Sequence, residues 1–202
     1  LLIAEPGRGT RIAPLGAAAI TDPLIALLST SPELADDYLE FRDVVECSAA
    51  ALAAERGNDI DRQKITDCLF AIEAAHDDAD PTDEAEADAA LHLAIYEASH
   101  NLVLLQIMRA LSGILRSDVI QNRNRMFTIP ETRELLRDQH RDIAQAILNR
   151  HPEGARGATQ DRLAYIRRAA REIRRAEEKL GQSLRRRSGG GLDQRAAPED
   201  PA

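Results

Sequence analysis

The chain has 202 residues, a formal charge of −8 and a pI near 5.2. That suits one domain with a full hydrophobic core and excludes a surface able to neutralise a nucleic-acid backbone by itself. Only 3% of residues are aromatic and tryptophan is absent, while Ala, Leu, Ile, Arg, Glu and Asp dominate, so an all-α fold is expected rather than a sandwich or barrel.

The chain opens on Leu1 rather than Met, already among β-favouring residues, so a segment upstream is expected. Leu1 to Glu5, the turn signal Pro6-Gly7-Arg8-Gly9, and Thr10-Arg11-Ile12-Ala13 predict a small β-hairpin within residues 1–14. Residues 15–21 read as a linker, and residues 22–180 as a helical unit. It starts with a short helix from Asp22 to Leu28. Long helices follow over Glu33–Arg56, Asp59 to about Ala75, Asp83–Ser99, Leu102 to about Asn122, Glu131–Arg150 and Glu153–Leu180. Gly57 and Gly181 are the expected stops of the first and last long helices. Six to seven helices joined by short loops predict an antiparallel bundle. Residues 181–202 carry Arg185-Arg186-Arg187, a glycine run and a polar, proline-containing end with little to bury, which predicts a disordered tail.

Cys47 and Cys68 lie in helical patterns without a CxxC spacing, which excludes a thiolate metal site and a disulfide framework and fits the cytoplasm. No apolar run reaches the roughly 18 residues of a membrane span, so no membrane partner is expected.

The informative residues are ionisable groups that interrupt apolar helix faces. Asp88 and His92 are four apart, on a face that continues through Ile95 and Ser99. His140 lies in the stripe Leu136, His140, Ile143 and Ile147; Arg162 lies in Ala155, Ala158, Arg162, Ile166, Ala169 and Ile173. Arg42 lies in Leu34, Tyr38, Arg42, Val45, Ala49 and Leu52, with Glu46 one turn on. For one inward histidine a satisfied core residue is the ordinary explanation. Several buried charges together are too costly to leave unpaired, so they should converge on one another or on a polar ligand inside the bundle. His76, His100 and His151 fall at helix ends, where solvated or capping roles are expected.

Leu2-Ile3-Ala4-Glu5-Pro6-Gly7-Arg8-Gly9-Thr10-Arg11-Ile12 resembles the wing that closes the winged-helix domain of GntR-type transcription regulators. The helical part resembles their FCD ligand-sensing domain through Glu40-Phe41-Arg42 to Glu46, Ala50-Ala51-Leu52-Ala53-Ala54, Asp88-x-x-x-His92 to Glu97-Ala98-Ser99-His100-Asn101, and His140-x-x-Ile143-x-x-Ala146-Ile147. The likeness extends to about residue 180 and is greatest to lactate-responsive members, over His92 to Met108-Arg109 and Asn124-Arg125-Met126.

The resemblance implies a homodimer that binds operator DNA through a mostly missing N-terminal domain, with Gly7, Arg8, Gly9, Thr10 and Arg11 at the DNA backbone. It also implies a small carboxylate effector, lactate or a related hydroxy acid, in a site of Arg42, Glu46, Asp88, His92, His140 and Arg162. In the metal-containing branch of the family an Asp and three His hold a divalent ion such as Zn²⁺; Asp88, His92 and His140 match the first three positions and Arg162 stands at the fourth. A guanidinium offers no lone pair to a metal, so two models remain: a three-ligand metal site, or Arg162 itself as the positive centre. Two other classes stay open: a metal-dependent hydrolase or lyase, which lacks a His-Glu-x-x-His motif here, and a helical interaction module whose polar groups only set helix register.

Overall fold

A computed structural model describes residues 2–5, 9–12, 32–78, 81–111 and 131–189. Near the start, strand β1 (Leu2–Glu5) pairs antiparallel with β2 (Gly9–Ile12), in the register Leu2 with Ile12 and Glu5 with Gly9. The turn residues Pro6, Gly7 and Arg8 and the expected helix from Asp22 to Leu28 lie outside the described residues.

The rest of the described chain is helical: α1 (Pro32–Arg56), α2 (Asp59–Asp78), α3 (Pro81–Ala98), α4 (residues 102–111), α5 (Thr132–Leu148) and α6 (Pro152–Gly189). Three of these helices open on proline, one or two residues ahead of the expected starts. The missing proline N–H falls where a helix has no carbonyl to bond it to, and the ring presets φ. The second half of the helix expected to run to Asn122 lies outside the described residues.

The last helix departs from expectation. It continues through Gly181 to Gly189, so the predicted stop and the start of a disordered tail at residue 181 do not hold. One glycine costs a helix only about 1 kcal/mol against alanine, and Gln182 to Arg187 contains no breaker, so the turn after Gly181 propagates. Ser183 Oγ donates to the Lys179 carbonyl across that point, at 2.9 Å.

Helices α2 and α3 run antiparallel: Lys64 meets Glu97 at one end and His76 meets Glu84 at the other. The α1 to α2 junction is set by Asn58, whose Oδ1 accepts the Ile60 and Asp61 amides while Asp61 Oδ2 accepts the Asn58 amide at 3.0 Å. This reciprocal cap satisfies donors that a helix start leaves unpaired. His100, after α3, sits at a φ of 49°, and its Nε2 lies 2.8 Å from Asp61 Oδ2, tying this turn to the same cap.

α1 packs mainly on α6, α2 on α3, and α5 on α6. Their contact faces are rich in small residues: Ala49, Ala50, Ala53 and Ala54 of α1, Ala94 and Ala98 of α3, Ala144 of α5 and Ala155 of α6 are buried. Short side chains let the helix axes approach closely, and Ile65, Leu91, Met108, Ile143 and Ile147 fill the space between. No helix among the described residues is long and apolar enough to cross a membrane.

Candidate functional site

All six residues that interrupt the apolar faces are buried: Arg42 and Glu46 on α1, Asp88 and His92 on α3, His140 on α5 and Arg162 on α6. Four helices therefore direct charge into one interior, and the groups meet in a continuous chain of contacts.

At one end Arg42 Nε donates to Glu46 Oε1 at 2.6 Å, the i, i+4 spacing of α1 bringing the two together. The other carboxylate oxygen, Oε2, lies 3.7 Å from His92 Nδ1 and has no hydrogen-bond partner among the described residues. His92 Nε2 lies 3.0 Å from Asp88 Oδ1 but is not aligned for a hydrogen bond, and that buried nitrogen too lacks one among the described residues. His140 Nε2 donates to the same Asp88 Oδ1 at 2.9 Å. Arg162 Nη2 reaches both Asp88 oxygens, at 3.4 and 3.5 Å.

Burial sets the protonation states. It is the main cause that pushes the His140 imidazole down to about 4; the Arg162 charge adds to that, and Asp88 opposes it only in part. Burial also opposes the charges of Arg42 and Glu46, yet their mutual attraction prevails, holding Arg42 above and Glu46 below their ordinary values. The centre is thus a pair of buried ion pairs, Arg42 with Glu46 and Arg162 with Asp88, joined through two imidazoles.

One residue at the centre was not picked out from the sequence. Tyr96 is four residues after His92, its ring stacks on the imidazole with centroids 6.2 Å apart, and its buried hydroxyl has no hydrogen-bond partner among the described residues. Burial, then the Glu46 charge, lifts its pKa well above the ordinary value, so it is a neutral donor and acceptor. The same i, i+4 count that linked Asp88 to His92 pointed to it. A narrow cleft lined by Ile72, His76, Glu84, Arg133, Leu136 and Arg137 reaches His140. His76 is not a solvated helix end: its carbonyl accepts Arg133 Nη2 at 3.0 Å, and Arg133 also pairs with Glu84.

Of the residues expected at DNA, Gly7 and Arg8 lie outside the described residues; Gly9, Thr10 and Arg11 form β2.

Asp88, His92 and His140 each offer a ligand atom within 4.8 Å of the others, a donor set that suits Zn²⁺. The unbonded His92 Nε2, aimed at Asp88, is consistent with that use. The surrounding charge is not, because Arg162 Nη2 stands 3.4 Å from Asp88 Oδ1, the oxygen that both imidazoles also approach. A fixed guanidinium beside the ligand atoms repels a divalent cation and contributes no ligand. The donors fit a metal; the site as a whole does not.

This helical arrangement is that of regulators in the GntR class. A Streptococcus agalactiae GntR superposes with a TM-score of 0.64 and 22% identity, over 83% of this chain and 74% of that one. A GntR-family transcriptional regulator from Pseudomonas syringae pv. tomato str. DC3000 gives 0.55 and 17%, over 95% and 68%. At such identities the likeness speaks for the fold. In sequence, residues 37–165 match the model of the FCD domain. The chain is 39% identical over 147 residues to the "Putative L-lactate dehydrogenase operon regulatory protein" of Escherichia coli (strain K12), covering 73% of this chain and 55% of that protein. It is 33% identical over 170 residues to the Glc operon transcriptional activator of the same strain, covering 83% and 67%. The chain belongs to the FCD-domain family of GntR-type transcription regulators. It spans about half the length of the first of these relatives, 55%. They are transcription regulators, not enzymes, which sets aside the hydrolase and lyase alternative.

Proposed function

We propose that this chain is the sensing part of a ligand-responsive, DNA-binding transcription regulator whose effector is a small carboxylate, lactate or a related 2-hydroxy acid. The observation that carries this is the buried centre itself: two arginines, two carboxylates and two imidazoles inside a bundle, with Glu46 Oε2 and His92 Nε2 lacking hydrogen-bond partners among the described residues. Buried polar atoms are rarely left so, and a polar ligand supplies the missing partners. The name of one relative, which places it at an L-lactate dehydrogenase operon, supports the hydroxy-acid class.

In this reading Arg162 and Arg42 attract the effector's carboxylate, Asp88, His92 and His140 contact its hydroxyl, and Glu46 orients Arg42 and His92. Residues 22–180 form the sensing domain, with helix α6 continuing beyond it; residues 1–14 close a winged-helix domain and 15–21 link the two. Arg8, Thr10 and Arg11 contact the DNA backbone, with Gly7 and Gly9 allowing close approach. The protein works in the cytoplasm as a homodimer on a two-fold operator, and an effector that binds one arrangement of the bundle more tightly shifts the spacing of the two DNA-binding domains.

Titration calorimetry of this chain with L-lactate, D-lactate, glycolate and pyruvate tests the sensor. Saturable heat without turnover of the acid is expected from at least one 2-hydroxy acid. Silence from all four would leave a helical interaction module as the better account. In the full-length regulator, the same acid is expected to change affinity for the operator.

A further inference from the structure

We propose that Arg162 is the resident cation of this centre, so that a small carboxylate is bound there by guanidinium and not by a metal ion. The proposal rests on the reading of the centre as a carboxylate site and says how that site works.

Contacts converge on one atom. Asp88 Oδ1 accepts His140 Nε2 at 2.9 Å, lies 3.0 Å from His92 Nε2, and lies 3.4 Å from Arg162 Nη2. A cation held by the three donors would have to share that oxygen with the guanidinium. Arg162 is only 2% exposed, so water does not screen its charge, and an arginine in a protein does not escape by losing its proton. Nor can it easily swing away. It sits on the buried stripe of α6 with Ala155, Thr159 and Leu163, all buried, and α5 and α1 pack against this helix.

The contact between Arg162 and Asp88 is long. Charge-assisted N–H···O bonds close to about 2.7–2.9 Å, whereas both distances here are at least 3.4 Å. Asp88 is divided between Arg162 and two imidazoles, and its bond to His140 is the shorter one. An incoming carboxylate can therefore take the guanidinium at closer range while Asp88 keeps His140. Beyond the imidazole of His92, Glu46 Oε2 and the Tyr96 hydroxyl are buried acceptor and donor groups for the polar remainder of the ligand. Arginine matters here as a planar fork; a lysine would bring the charge without the paired geometry.

The test uses the 202-residue chain purified without chelator. Its metal content is measured by mass spectrometry, and L-lactate and glycolate are titrated before and after EDTA. Far less than one metal per chain is expected. EDTA should change the affinity by less than about twofold, and Arg162→Lys should weaken it about tenfold or more, since the fork is lost. A folded Arg162→His chain should gain Zn²⁺, because a third imidazole replaces the repelling charge. Near-stoichiometric metal in the unmodified chain, or lactate heat lost in EDTA and restored by Zn²⁺, would overturn the proposal while leaving the carboxylate reading intact. Unchanged affinity in Arg162→Lys, or a folded Arg162→His chain that takes up no Zn²⁺, would do the same. If neither acid binds with or without Zn²⁺, both readings fall. The measurements on the unmodified chain decide the matter even if a variant does not fold.

Discussion

Replacing Arg42 by methionine keeps most of the side-chain volume and removes only the charge that compensates Glu46. Glu46 is 2% exposed, and the nearest basic side chain left beside it would be the His92 imidazole, whose Nδ1 is 3.7 Å away. Two unit charges about 4 Å apart attract by about 4 kcal/mol at an effective dielectric of about 20, and removing one partner of a buried pair costs about 3–5 kcal/mol. For a domain of this size that is a fall in Tm of about 10 °C, taking about 2–4 °C per kcal/mol. Urea denaturation of Arg42→Met, followed by circular dichroism at neutral pH, measures the loss directly. The double variant Arg42→Met with Glu46→Leu is the decisive control. It leaves no orphan charge, so it should recover most of the lost stability, as apolar replacements of buried ion pairs commonly do. If Arg42→Met lies within about 1 kcal/mol of the parent, or if the double variant is no more stable than the single one, burial of a compensated pair is the wrong description of this site.

The other predictions concern the frame around the centre. Burial works against the Asp61 charge, but the Asn58 amide and His100 outweigh it and hold the carboxyl below its ordinary 3.8. Its contribution is therefore full above that value and lost as pH falls through the lower, folded value; Asp61→Asn should cost about 1 kcal/mol at pH 7 and progressively less below about pH 4. An equal cost across that acid range in denaturation curves would contradict the assignment. A Cβ on Gly57 would stand 2.6 Å from the backbone oxygen of Ala53, so Gly57→Ala should lower stability by about 1–3 kcal/mol; an unchanged urea midpoint would show that the α1 end relaxes freely. Tyr96→Phe removes a hydroxyl that has no hydrogen-bond partner among the described residues, so stability should change by less than about 1 kcal/mol. A larger loss would mean that this hydroxyl is bonded in the folded protein.

Much of the centre was legible before any coordinates. A period of 3.6 residues decides which face of a helix a side chain occupies, so placing His140 among Leu136, Ile143 and Ile147 sufficed to predict its burial, and all four are buried. The i, i+4 spacing likewise sufficed for Arg42 with Glu46 and for Asp88 with His92. The same rule reached Tyr96, but an aromatic residue on an apolar face looks like ordinary core until the imidazole beside it is known to be part of a polar cluster. The end of α6 differs from the expected one for a local reason: a glycine only weakens a helix, and no breaker stands between Gln182 and Arg187.

What local pattern could not decide is which faces meet. His140 and Arg162 share Asp88 across 52 and 74 residues of chain, and Arg133 reaches Glu84 and the His76 carbonyl across similar gaps. Those meetings depend on how closely and at what angle the helices cross, which is set by the alanines between them. Sequence alone determined that this chain would form helices with charges on their inner faces. Only the tertiary packing determined that a single oxygen of Asp88 would serve two imidazoles and a guanidinium, because that requires three helices to bring their polar positions to the same depth.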